Sequence, residues 1–260
     1  MIDASRGLGL FSLTDQVIVV TGATGGIGVE VARGLSAAGA QVGLNGRRAA
    51  PVEELVSEIP DSFAVPFDIT DEDASAAALA SVVERYGRLD ALVCIAAARD
   101  RRPLAEIETD DYRTVLEANL VAPFHLARTV APYMISAGRG RIIMMTSLAG
   151  DFAMPGDAAY PSSKAGLAGL VRSLAVELGA SGVNVNGIAP GPVATQVNAP
   201  LVKNPEWQAM IRRTVPLQRW AEPSELAGAV IFLASDASSY MNGQILTVDG
   251  GASVRMFPMD

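Results

Sequence analysis

The stretch QVIVVTGATGGIG, residues 16–28, joins a β-branched, apolar run to a cluster of glycines. Its first half has the composition of a buried strand. VEVARGLSAAG, residues 29–39, follows with helical spacing of its apolar positions and a closing glycine suited to a helix C-terminus. Strand, glycine turn and helix in that order make a cradle for phosphate groups. Gly22, Gly26 and Gly28 let the backbone turn tightly, approach a pyrophosphate and pack the helix on the sheet. The helix start adds unpaired N–H groups and partial positive charge. The spacing is G-x-x-x-G-x-G. Another glycine-bearing stretch, RGLGLF at residues 6–11, has no strand before it and receives no nucleotide role.

Working outward, the alternation of strand and helix continues. Strand candidates are QVGLNG (41–46), SFAVPFD (62–68), LDALVCIA (89–96), RIIMMTS (141–147), VNVNGIAP (183–190) and QILTVDG (244–250). Helical stretches lie near 71–86, 110–136, 158–180 and 222–234. Near-continuous apolar strands separated by helices predict an α/β fold with a parallel sheet covered on both faces. No linker or repeat divides the chain. The expectation is a single doubly wound, Rossmann-type domain over residues 1–260, with a mostly seven-stranded parallel sheet. Ligands of such folds bind beyond the carboxyl ends of the strands.

Composition narrows the function. Half of the 260 residues are hydrophobic, enough for a sizeable core, and the formal charge of −8 argues against a nucleic-acid partner. No apolar run approaches the ~18 residues of a membrane span. MIDASRGLGLFSL at the start lacks the pattern of a secretory signal. Cys94 is the single cysteine, which excludes an intrachain disulfide and suits a reducing cytoplasm.

AAYPSSKAG, residues 158–166, sets a phenol four residues before an ammonium. On a helix those positions share a face, with Cβ atoms roughly 5–6 Å apart. A cation about 4 Å from the phenol oxygen favours the phenolate by up to about 4 kcal/mol at an effective dielectric near 20. Lys164 is thereby expected to draw Tyr160 down towards the range of a general base. The pair alone is also compatible with a packed tyrosine beside a solvated lysine, so the rest of the chain decides.

The glycine loop, the Tyr-x-x-x-Lys pair and their order resemble the classical short-chain dehydrogenase/reductase family, from about residue 12 to residue 251. Ser147, thirteen residues before Tyr160, and Asn119 in EANLVAPF match the family's serine and asparagine. NGIAPGPVAT (186–195) and VDGG (248–251) resemble its Pro-Gly turn and its last strand end. The resemblance implies hydride transfer between a nicotinamide cofactor and an alcohol or ketone. Ser147 would bind the reacting oxygen and Tyr160 would exchange a proton with it. Lys164 would lower the tyrosine pKa and hold the cofactor ribose, and Asn119 would hold a water leading from Lys164 to solvent. Implied cofactor contacts begin with the loop residues Gly22, Thr24, Gly25, Gly26, Ile27 and Gly28. Arg47 and Arg48 follow, then Asp68, Ile69 and Ala96. Asn119, Tyr160 and Lys164 add to these, as do Pro190, Gly191, Val193 and Thr195.

The second strand ends in LNGRR, with Gly46 where an NAD enzyme commonly carries an acid for the ribose 2′-OH. Arg47 and Arg48 then predict NADP, with NAD as the alternative. Gly25 stands where many NADP-using relatives carry a second basic residue, which points to a modest preference. The chain departs from the family's Asn-Asn-Ala-Gly at Cys94, Ile95, Ala96 and Ala97. Cys94 reads as an inert buried thiol and His125, the single histidine, as a packing residue, and no metal site is visible.

ARDRRPLAEI, residues 98–107, brings Arg99, Arg101 and Arg102 over the catalytic face, and arginine forks suit carboxylates. RRPL and the 201–226 segment most resemble the gluconate 5-dehydrogenase and 2-deoxygluconate dehydrogenase branch, which implies a sugar acid bound by Arg101, Ser147 and Tyr160. The alternatives are a 3-oxoacyl thioester reductase, a general alcohol dehydrogenase and a cofactor-sensing binding protein. Residues 195–214 are expected to form a substrate lid. Small residues at 165, 166, 168 and 169, together with the family, imply a homotetramer.

Overall fold

In the computed structural model, which describes residues 7 and 9–254, the apolar runs become strands. They are β1 (Val17–Thr21), β2 (Gln41–Leu44), β3 (Ser62–Ala64) and β4 (Ala91–Cys94), then β5 (Gly140–Met145), β6 (Val183–Pro190) and β7 (Ile245–Val248). They pair in the order β3-β2-β1-β4-β5-β6-β7, all parallel. This is the expected doubly wound sheet. The chain order reverses between β1 and β4, where Thr21 stands opposite Cys94. A crevice opens at such a switch point. Every residue of β1 and β4 is buried, because helices cover both faces.

One face carries α3 (Glu72–Tyr86), α5 (Ala122–Ala137) and α6 (Ala159–Leu178), whose Leu79, Leu126 and Val171 share a core with Leu92 and Ile142. The opposite face carries α1 (Gly26–Ala37), α2 (Ala49–Glu58) and α9 (Ala227–Ala234), packing Leu35, Val52 and Leu233 on Ile18 and Val93. Local chemistry delimits α3. Asp71 accepts a hydrogen bond from the Ala74 N–H at 2.9 Å, and Gly87 ends the helix at φ 70°. Glycine takes that left-handed cap without a Cβ penalty.

Several boundaries depart from the sequence reading. Helix α2 was not anticipated, since its Pro51 and ten-residue length weaken the periodic signal. The strand expected over 62–68 ends at Ala64, two residues before Pro66, which has no N–H for a ladder. Asn45 instead donates to the Val65 and Phe67 carbonyls, each at 3.0 Å. The helix expected over 110–136 is interrupted: α4 (Thr109–Leu116) passes through a π turn at Glu117–Val121 before α5 begins. The 195–214 segment holds a 3₁₀ turn (Gln196–Asn198), α7 (Ala199–Val202) and α8 (Pro205–Thr214). Ile211 of this segment forms a small separate core with Val215 and Trp220, which follow it. Of RGLGLF, Arg6 and Leu8 lie outside the described residues. Among the described residues, no helix is long and apolar enough to cross a membrane.

Candidate active site

The glycine loop is shaped by contacts that leave no room for side chains. A Cβ on Gly28 would lie 2.1 Å from the Gly22 carbonyl oxygen. One on Gly22, itself at φ +66°, would lie 2.8 Å from the Ala96 backbone. Gly25 begins α1 without a capping side chain, and no acid occupies the first turn. The helix N-terminus is thus left for an anionic ligand.

A cleft of about 930 Å³ opens in front of this turn. Gly22, Thr24, Gly25, Gly26, Ile27 and Gly28 line it, as do Arg47, Asp68 and Ile69. Ala96 and Thr195 line the wall beyond. The cleft's size, its uncapped helix start and its glycine-lined floor fit an extended dinucleotide. Other expected contacts are placed elsewhere. Arg48 stands just before α2, makes no capping hydrogen bond and is exposed outside the cleft lining. Pro190 ends β6, and Gly191 is pressed against Asp249, to which a Cβ would come within 2.7 Å. Val193 is buried behind the wall. Hydrogen bonds from Thr70 hold the Asp68 carboxyl below its ordinary range, against its burial, and Arg47 adds to the effect.

The departure at Cys94–Ala97 is accommodated by Thr21. Its hydroxyl accepts from the N–H groups of Ile95 at 3.1 Å and Ala96 at 3.4 Å, tying β1 to the turn after β4. Burial pushes the Cys94 thiol up to about 12. His125 is buried, with Nε2 2.9 Å from the Ser75 hydroxyl and Nδ1 3.3 Å from Glu72. Among the described residues, no cluster of three His, Cys, Asp or Glu side chains could hold a metal.

The four expected catalytic positions converge beside the cleft without lining it. Ser147 follows β5, its hydroxyl accepting from the Ala149 N–H at 3.1 Å. Tyr160 opens α6, and Lys164 lies one turn further on. Asn119 sits in the π turn, fully buried, and donates to the Ala98 carbonyl at 2.8 Å and to Ser163 Oγ at 2.9 Å. Its Oδ1 accepts from the Ala98 N–H at 2.7 Å. Ser163 in turn donates to the Tyr160 carbonyl at 2.7 Å, a link the sequence reading missed.

The expected electrostatic pairing of Tyr160 with Lys164 does not appear in this form. Lys164 Nζ donates to the Met145 carbonyl at 2.7 Å and lies 5.5 Å from the centre of the Tyr160 ring. Its own burial lowers its pKa to about 8. Burial raises the Tyr160 pKa. The largest opposing influence is the Arg99 guanidinium, followed by a hydrogen bond with Ser147, and Asp157 works against them. The tyrosine is therefore held above its ordinary value, and its nearest strong cation is an arginine.

The three arginines after β4 have separate fates. Arg102 pairs with Asp100 and Asp111, which fixes the entry to α4. Arg99 grips the buried Asp157 through Nε, at 3.1 Å, and through a second guanidinium nitrogen, and its guanidinium carbon lies 4.5 Å from the centre of the Tyr160 ring. Arg101 donates to the neutral Asn198 amide oxygen at 3.1 Å, while Asn198 donates to the Val193 carbonyl at 2.9 Å. Asp157 carried no sequence signal, because it lies 58 residues from its partner.

Known proteins share this framework. The family model described as enoyl-(acyl carrier protein) reductase, a short-chain dehydrogenase/reductase model, matches residues 22–253. Gluconate 5-dehydrogenase of Gluconobacter oxydans is 38% identical over 252 residues, covering 95% of this chain and 98% of that protein. The 5-keto-D-gluconate 5-reductase of Escherichia coli K12 is 34% identical over 249 residues, covering 94% and 98%. The crystal structure of a gluconate 5-dehydrogenase from Burkholderia cenocepacia, in complex with NADP and tartrate, superposes with a TM-score of 0.91 at 34% identity, covering 96% of this chain and 99% of that one. The chain belongs to the short-chain dehydrogenase/reductase family and is a nicotinamide-dependent oxidoreductase acting on CH–OH or keto groups.

Proposed function

We propose that the chain interconverts a secondary hydroxyl and a ketone on a sugar acid of the gluconate and 5-ketogluconate kind, with NADP preferred over NAD. The observation that carries this reading is the arginine pair beside Tyr160. Arg99 is ion-paired with Asp157, whereas the hydrogen bond of Arg101 goes to a neutral amide. A substrate carboxylate can displace that amide and form a charge-assisted pair. The sugar-acid relatives and the structure of one with NADP and tartrate support the same reading.

The backbone N–H groups at the start of α1 hold the pyrophosphate, and Arg47 faces the ribose 2′-phosphate. When bound, the nicotinamide supplies or accepts the hydride. Ser147 donates to the substrate's reacting oxygen. Tyr160 donates a proton to that oxygen in reduction and removes one in oxidation. Lys164 turns from the Met145 carbonyl to the ribose hydroxyls. The Asn119 amide anchors the segment after β4, so a relay water leading from Lys164 meets the backbone of the π turn rather than that amide. Residues 195–214 cover the substrate as a lid, with Asn198 touching Arg101. Small residues on α6, among them Ala165 and Gly166, are exposed for close packing with another copy, in a homotetramer working in the cytoplasm.

Initial rates with gluconate, 5-ketogluconate, a β-ketoacyl thioester and a neutral polyol, each with NADP and NAD, test the proposal. The highest kcat/KM is expected for a sugar acid with NADP. Preference for the thioester or the polyol assigns one of the alternative substrate classes, and binding without turnover assigns a sensor. Arg101→Ala should raise KM for the sugar acid far more than for the neutral polyol.

A further inference from the structure

The same site contains a contact that the reaction scheme above leaves unused. Arg99, from the segment after β4, crosses to Asp157 just before α6, and its guanidinium lies over the Tyr160 ring. Both ends are constrained. Asp157 is 3% exposed and accepts from two guanidinium nitrogens, and the guanidinium carbon is 4.5 Å from the ring centre. That distance is within the ~6 Å range of a cation–π contact.

We propose that Arg99, clamped by Asp157 across the ring face, is the positioning residue that orients Tyr160 and sets the pH at which it exchanges its proton. The proposal rests on Tyr160 being the acid–base group. Ionising the phenol enriches the ring with electron density, so a stacked guanidinium favours the phenolate over the phenol. Asp157 holds the guanidinium in place, and its own charge opposes the effect on Tyr160 but is the smaller influence of the two.

The other groups near Tyr160 act on it less, or from further away. Lys164, on α6, lies 5.5 Å from the ring centre, further than Arg99, and has the cofactor ribose to serve, while the buried Cys94 on β4 acts on Lys164. Arg101, on the same segment as Arg99, influences Tyr160 less than Arg99 does and reaches to Asn198. Ser147 approaches as a neutral hydroxyl. Arg99 is therefore the cation best placed to act on the ring. It is also poorly placed to bind substrate, since the guanidinium edge presented to Asp157 is already occupied.

The test is the pH dependence of kcat/KM for alcohol oxidation in the wild type, Arg99→Leu, Arg99→Lys and Asp157→Asn. An opposite charge at this range typically displaces a titration by about 1–3 pH units. Arg99→Leu is expected to move the rising limb upward by at least about one pH unit. Arg99→Lys should restore part of that displacement. Asp157→Asn should lower the rate with a smaller change in midpoint. The phenolate absorbance difference between each protein and its Tyr160→Phe counterpart reads the same titration without turnover, and should move in parallel. An Arg99→Leu enzyme with unchanged midpoint and a raised KM for sugar acids would instead make Arg99 a substrate ligand and overturn the proposal. If Tyr160→Phe in the wild-type background keeps its rate, the acid–base assignment itself fails. If Arg99→Leu does not fold, the partial displacement in Arg99→Lys decides.

Discussion

The Asn119 side chain bridges the backbone of Ala98, donating to its carbonyl at 2.8 Å and accepting from its N–H at 2.7 Å. A third bond, to Ser163, carries the link onward to the backbone of Tyr160. The π turn that interrupts α4 and α5 is what brings this amide to the end of β4. Asn119→Leu should cost about 3 kcal/mol, taking about 1 kcal/mol for each of the three hydrogen bonds of this buried amide. For a chain of this size that lowers Tm by about 6–12 °C, measurable by scanning calorimetry. KM for cofactor and for substrate should rise together, because Ala98 lines the cleft.

Tyr160→Phe should lower turnover by about 10²–10⁴-fold, the range of general acid–base assistance. Cofactor affinity should change little, since the ring stays in place under Arg99. Fluorescence titration with NADPH separates the two effects. Retention of more than about a tenth of the rate would place the acid–base group elsewhere.

Arg47 and Arg48 are adjacent in sequence, but Arg47 alone of the two lines the cleft. Arg47→Ala should weaken NADP binding by about ten- to a hundredfold, corresponding to one lost charge-assisted bond of roughly 1.5–3 kcal/mol. NAD binding should be almost unchanged. Arg48→Ala should leave both affinities near those of the parent. Isothermal titration with each cofactor distinguishes these results, and equal losses for both nucleotides would remove Arg47 from 2′-phosphate recognition.

Lys164 introduces a pH dependence of stability. Burial moves its pKa from 10.5 to about 8, a displacement worth about 3 kcal/mol. Below about pH 8 both folded and unfolded chains carry the charge, and the full burial penalty applies. As pH rises from about 8 to 10.5, the unfolded chain holds the extra proton, so this contribution shifts stability in favour of the fold. Lys164→Met should therefore raise Tm most at pH 7, with the advantage shrinking above pH 8 and lost above about pH 10.5. An advantage independent of pH would show that Lys164 is not the titrating group.

The parts of the fold that were legible in the sequence are those written in consecutive residues. The run into Gly22, Gly26 and Gly28 specifies strand, turn and helix within thirteen positions, and the strand alternation predicts the parallel sheet. The π turn was not legible, because EANLV keeps helical spacing on both sides and differs only in how its backbone hydrogen bonds close. Tyr160, Lys164, Ser147 and Asn119 are picked out by register alone. The charge environment of Tyr160 was misread because it depends on where long side chains end. Lys164 turns to a carbonyl of β5, and Arg99 reaches the ring from a loop 61 residues earlier in the chain. Asp157 has no local pattern at all, and only the meeting of two loops gives it a role.

The strand order also determines how the sheet is assembled during translation. β2 and β3 follow β1 closely and can pair along one of its edges, but the opposite edge waits for β4. The Val17 N–H finds its acceptor on Asp90, 73 residues later. At 5–20 residues per second, that apolar edge stays open for roughly 4–15 s on the ribosome. VIVVT is rich in β-branched residues and uncharged, the composition that recruits stray strands. From β4 onward, β5, β6 and β7 each add to the sheet in order of synthesis. A translational pause between codons 65 and 90 prolongs the exposure of β1, whereas the same pause after β4 leaves that edge covered.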